Sequence, residues 1–322
     1  MKSKVSLIKG KSRYDINYDS FKAIEEDIKK SLIGKKRIII KPNLGEANCQ
    51  IGATYSEHVR AILDFLKERF SGEIIIAESV GYAGEEGQWY TDDCFRNYGY
   101  YDLIKDYGVK LLDLNRDEYE ILHLMDLKLE KPKTIRVSRT ILDPDNYIIS
   151  AARLKTHGGT LVTLSYKNIA MGAILKYDKA LIHSDGFAGV NLNLLLLSFR
   201  LRPDLASIDG YDGMQGYGPW QGEPVNAPGV AIASTDFLAA DRIGTEVMGF
   251  NFEDAVYLNY IADAGFGEAK LENIEIIGEK LKDCVHKFDF PYIIDEKFKY
   301  CGEMKVCKDS KSVITNYNKE AM

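Results

Sequence analysis

Residues 153–187 concentrate the groups able to do chemistry. They read Arg-Leu-Lys155-Thr-His157-Gly-Gly and run through Ser-Tyr-Lys167-Asn168 and Gly172 to His183-Ser-Asp-Gly-Phe187. The chain has only five histidines, and two of them fall here, beside several lysines. An imidazole exchanges a proton near neutral pH or ligates a metal. Lys167 sits among apolar and small residues, where burial would lower its pKa and leave it more nucleophilic. The segment therefore predicts His157, Lys167 and His183 as catalytic, with His183 also the candidate metal ligand.

A second set of polar residues follows predicted strands. Lys41-Pro-Asn43 comes after Arg37 to Lys41, and Glu78-Ser79-Val-Gly-Tyr82 after Glu73 to Glu78. Asp113 and Asn115 follow Val109 to Asp113, and Arg153 to Gly159 follow Tyr147 to Ala151. Open parallel sheets bind ligands beyond the carboxyl ends of their strands. Lys41, Asn43, Glu78, Ser79, Tyr82, Lys155 and Asn168 are thus expected to contact substrate. Asp209 and Asp212 join them from a Gly-rich loop at 209–224 that also carries Trp220.

These positions require a particular scaffold. Continuous apolar strands alternate with amphipathic helices, which predicts an α/β protein with a doubly wound, mostly parallel sheet. The expected helices start at Ser20, Ser56, Thr91 and Ser234 or Thr235, with another over Phe252 to Ala262. Further strands are expected at Thr134 to Ser138, Leu205 to Ile208, Val230 to Ala233 and Ile274 to Ile277, and Ile121 to Leu129 fits either pattern. With 322 residues and ~150 per domain, two domains are expected. They are placed at 1–200 and at 201–322, the second smaller and also α/β, with the active-site cleft between them. The last ~30 residues read as irregular.

Composition narrows the function. Apolar residues make up 45% and charged residues 28%, ordinary for a folded soluble protein. Apolar runs fall well short of the ~20 residues that span a bilayer, and no signal peptide is read at the N-terminus. The net charge of −6, without a basic cluster beside aromatic pairs, argues against nucleic-acid and membrane partners. Five scattered cysteines suggest reduced thiols in the cytoplasm. There is no Cys-x-x-Cys, so no ferredoxin-type iron–sulfur motif is encoded, and Cys301 and Cys307 read as free thiols. Ala264-Gly-Phe-Gly267 is not a dinucleotide fingerprint.

The chain resembles the family catalogued as domain of unknown function 362. The matching pieces are Lys41-Pro-Asn43, Leu154-Lys-Thr-His157, Thr163-Leu-Ser-Tyr-Lys167-Asn168, Gly172, Asp209-Gly210, Gly216, Gly218-Pro219, Gly222 and Gly265-Phe-Gly-Glu268. They span about residues 35–280. Many members of that family carry a cysteine-rich ferredoxin-like module, which these residues do not provide. More distantly, the spacing is similar to that of nickel-pincer lactate racemases. His157 lies 10 residues before Lys167, and His183 lies 16 after it. That likeness implies a catalytic His157, a cofactor-bearing Lys167 and a metal-binding His183. The racemase's second catalytic histidine has no counterpart near Glu78-Ser-Val-Gly81, where Tyr82 is the nearest polar aromatic.

The leading expectation is an enzyme that moves a proton or hydride on a small anionic or polar metabolite. Either a metal or a Lys167-linked cofactor could serve it. A redox enzyme or accessory protein working with an iron–sulfur or flavin partner, and a non-enzymatic small-ligand binding protein, are the alternatives. Oligomeric state is not legible, and a homo-oligomer is compatible.

Overall fold

The computed structural model describes residues 2–80, 90–128, 131–225 and 228–291. Twelve strands are present among them: β1 (Ser3–Lys9), β2 (Arg37–Pro42), β3 (Glu73–Glu78), β4 (Lys110–Asp113), β5 (Tyr119–Leu124), β6 (Lys133–Ser138), β7 (Asn146–His157), β8 (Leu161–Thr163), β9 (Leu205–Gln215), β10 (Glu223–Val225), β11 (Val230–Ser234) and β12 (Ile274–Gly278). Ten of them form one sheet, with β12-β1-β11-β9-β7-β2-β3-β4 as its main order. In addition β8 pairs with β7, and β10 with β9. The strands β5 and β6 make a separate antiparallel pair.

β4, β3, β2, β7 and β9 run parallel, as the continuous apolar runs predict. Successive residues serve opposite faces. Ile39 and Ile75 join the core beneath helices Ser165–Gly172, Gly186–Ser198, Phe237–Val247 and Val256–Asp263. Ile38, Ile40 and Ile76 join the other core, beneath Arg13–Ala23, Ser56–Leu66 and Thr91–Asn97.

The boundary expected at residue 200 does not divide this sheet. β9 lies parallel to β7 across it, and β1 from the first half sits between β11 and β12 from the second. Burying the apolar Val5 and Leu7 of β1 requires those distant strands. Strands from both sides of that boundary thus share one sheet.

Local differences have local causes. The helix expected from Ser20 begins at Arg13, because the Ser12 hydroxyl accepts the Asp15 N–H at 3.2 Å. Ser20 lies inside that helix and donates to the Asn17 carbonyl at 2.7 Å. The helix expected from Thr91 to near Gly108 breaks at Gly99, whose φ is +76°, a conformation glycine adopts without Cβ strain. The ambiguous segment at 121–129 contributes to β5 through Leu124. Among the described residues no single helix is long and apolar enough to cross a membrane. Tyr82, Cys301, Cys307 and the tail expected to be irregular lie outside the described residues.

Candidate functional site

The strand order reverses at β2. From it the chain winds outward through β3 to β4, whereas β7 packs on its other side. Such a reversal parts the loops that follow the two neighbouring strands and leaves a crevice at their carboxyl ends. A cavity of about 630 Å³ lies there. Lys41, Asn43, Glu78, Ser79, Lys155, His157, Lys167, Asn168 and His183 all line it. Lys179, Met171, Phe187, Val190 and Trp220 line it as well.

Close approach explains two glycines. A Cβ on Gly172 would meet the Lys41 side chain at 2.1 Å, so a larger residue would displace that lysine. A Cβ on Gly45 would meet the Trp220 ring nitrogen at 2.3 Å. Gly45 thus lets the indole lie against the loop after β2.

The cavity is rich in buried cations. Lys41 pairs with Glu78 at 2.6 Å and donates to the Pro42 carbonyl at 2.7 Å. Glu78 also accepts the Leu44 and Ser79 N–H groups at 2.8 and 2.7 Å. The Asn168 amide donates to the Lys41 carbonyl at 3.0 Å and to the Ser150 hydroxyl at 3.1 Å, and the Ser79 hydroxyl donates to the Ile174 carbonyl at 2.8 Å. Glu78, Ser79 and Asn168 therefore spend their polar atoms on the protein, and they position the wall.

Three more lysines have no carboxylate partner among the described residues. Lys155 donates to Asn43 Oδ1 and to the Gly52 carbonyl, both at 2.9 Å. Lys179 donates to the Ser79 and Val80 carbonyls at 2.6 and 3.2 Å. Among the described residues the hydrogen-bond partner of Lys167 is the Thr163 hydroxyl, at 3.5 Å. Burial pushes Lys155 down to about 7, helped by the Arg153 guanidinium. Burial takes Lys179 to about 7 too, against the pull of Glu78. Lys167 falls well below its ordinary value through burial, with Lys155 adding to the effect.

The two imidazoles stack, with centroids 5.7 Å apart and planes 20° apart. Both are held neutral at pH 7. Burial lowers His157 well below 6.5, and Lys167 lowers it further. His183 is pushed to about 4 by the same two causes. His157 Nδ1 accepts the Gly159 N–H at 2.9 Å, so the proton of the neutral ring sits on Nε2. His157 is thereby a hydrogen-bond donor at Nε2.

Helices fix these groups. Lys167 rides on Ser165–Gly172, whose first N–H groups at Ser165 and Tyr166 donate to the two oxygens of Asp241 at 2.8 and 2.9 Å. Lys179 and His183 are four apart on helix Lys179–His183 and so share a face. That i, i+4 spacing is the sequence signal that could have added Lys179 to the site.

Asp209 and Asp212 are not part of the cavity lining. The register between β7 and β9 shifts after Arg153, and the intervening residues bulge. Arg13 and Arg153 hold both carboxylates: Arg13 lies 2.9 Å from Asp209 and 2.7 Å from Asp212, and Arg153 lies 3.3 Å from Asp209 and also pairs with Asp212. Both guanidiniums stack on Tyr55, at 3.5 and 4.8 Å. This buried network ties the first helix to the sheet. Asp113 likewise turns to Thr91 and Asn115.

As to a metal at His183, no group of three His, Cys, Asp or Glu side chains able to hold one occurs among the described residues. Two imidazoles are an incomplete protein ligand set.

Residues 38–246 match the family described as Domain of unknown function (DUF362). The chain belongs to that family. The DUF362 match runs from β2 through helix Phe237–Val247 and so contains every lining residue named above. The chain is also similar to the thylakoid-associated protein sll1697 of Synechocystis sp., 25% identical over 219 residues. That similarity covers 66% of this chain and 63% of the relative.

Proposed function

We propose that this DUF362 protein is an enzyme that binds a small anionic metabolite, a carboxylate or phosphate, and moves a proton on it. The observation that carries this reading is the surplus of buried lysines. A buried ammonium without a counter-charge is costly, and an anion arriving between Lys155 and Lys179 relieves that cost. The same electrostatics select for anionic ligands. A volume of about 630 Å³ lies within the usual range for small-molecule sites.

The imidazoles supply the chemistry. His157 donates from Nε2 to oxygen that gains charge as a neighbouring C–H bond ionises, as a preorganised donor should. Neutral His183 takes the proton. Proton transfer by a positioned imidazole typically contributes ~100–10,000-fold. We infer that the protein works in the cytoplasm, a reading supported by Cys49, Cys94 and Cys284, which form no disulfide among the described residues.

Thermal unfolding in inorganic phosphate and in small carboxylates tests the anion site. Ligand at a hundred times its Kd stabilises by about 2.7 kcal/mol. Lys155→Met and Lys179→Met are expected to remove that gain while the far-ultraviolet spectrum stays native. No stabilisation of the parent protein by any of these anions overturns the reading. Deuterium wash-in at the bound carbon acid then reports turnover. His183→Gln is expected to slow it ~100-fold or more. Binding without wash-in would make the protein a carrier.

A further inference from the structure

The four cavity lysines differ in what holds their nitrogen. Lys41 is bound to Glu78 and the Pro42 carbonyl, Lys155 to Asn43 and the Gly52 carbonyl, and Lys179 to two carbonyls. An ammonium donates three hydrogen bonds, and these sites are built to receive them. Lys167 is 4% exposed, yet its one hydrogen-bond partner among the described residues is the distant Thr163 hydroxyl. Its helix is anchored by Asp241, so the uncommitted amine is held in a fixed place. Lys167, His157 and His183 line the same cavity, and the two imidazoles stack on each other. One amine is thus left with its lone pair available, in a cavity that Lys155 and Lys179 also line. A desolvated lysine beside other cations is the usual form of an amine nucleophile.

We infer that Lys167 forms a Schiff base with a carbonyl-bearing anion, of the 2-oxo carboxylate class, while Lys155 and Lys179 hold the carboxylate. The Nζ lone pair attacks the carbonyl carbon, and a C–N bond forms as the C–O π bond breaks. The oxygen takes up two protons, two from the former amine being released in balance, and leaves as water. The product is an imine, with no net oxidation or reduction. His157 Nε2–H is the donor for the oxygen as it gains charge. The imine in turn acidifies the adjacent C–H bond for His183. This inference rests on the anion-site reading.

The test treats the full chain with pyruvate and, separately, glyoxylate in sodium cyanoborohydride at pH 7, followed by intact-mass and peptide mapping. Reduced adduct is expected at Lys167 about tenfold or more faster than at any surface lysine, because those amines are mostly protonated at this pH. Lys167→Arg and Lys167→Met are expected to lose the label and to keep stabilisation by inorganic phosphate. Label spread over surface lysines, label at Lys155 or Lys179 instead, or no label at Lys167 overturns the inference. An adduct already on Lys167 in the isolated protein, unchanged by either probe, overturns it as well. If phosphate still stabilises the protein in any of those cases, the anion site stands without the imine. If phosphate fails too, both readings fall.

Discussion

The lysine ammonium groups make anion capture pH-dependent with a definite sign. Lys155 and Lys179 stand at about 7 in the empty cavity. Below that pH they already carry the charge an anion needs. Above it, binding must drive their protonation. The affinity for pyruvate, whose own charge is constant in this range, is expected to fall by about tenfold per pH unit for each lysine recharged between pH 7 and 9. Calorimetric titration at pH 7, 8 and 9 reads this directly, and a flat profile would show that the lysines do not meet the anion. His157, Lys167 and His183 were legible because a chain with few histidines placed two of them around one lysine. Asp209 and Asp212 looked just as available in sequence. Their partner Arg13 is 196 residues from Asp209, beyond any local pattern.

Elements were legible wherever the apolar period was local. The strands at Arg37 and Glu73 and the helix at Ser56 lie where the periodicity put them. Helix Ser165–Gly172 was not expected, because the residue at its N-cap, Leu164, makes no side-chain cap. Its cap comes from Asp241, 76 residues from Ser165. Asp241→Ala leaves two N–H groups without acceptors and is expected to cost about 2–4 kcal/mol in urea unfolding. Asp241→Asn keeps one acceptor and should cost less. Because this helix carries Lys167, phosphate stabilisation is expected to persist while labelling of Lys167 slows.

Over the whole molecule, acid should loosen the fold early. His58 is fully buried, bonded to the Ser207 hydroxyl at 2.6 Å. Burial lowers it to about 4; the nearby Asp209 works against this, and Arg13 and Arg153 favour it. The unfolded chain binds the proton near 6.5, so stability falls as pH drops from 6.5 towards 4. For His58 alone the loss is roughly 2 kcal/mol by pH 5. Urea midpoints at pH 7 and 5 measure it, and His58→Gln should flatten the slope. The continuity of the sheet was the global feature least visible in sequence. Val5 and Leu7 alternate with polar neighbours as an edge or half-buried strand would, but nothing near them names β11 and β12 as partners.

That continuity has a consequence for how the chain is made. Ser6 and Ala233, which face each other in the sheet, are 227 residues apart. At ~5–20 residues per second, a ribosome takes roughly 10–45 s to go from β1 to its partner β11. During that interval β1 is an unpaired, partly apolar segment, the kind that sticks to other chains. Chaperone cover is expected to matter over that interval.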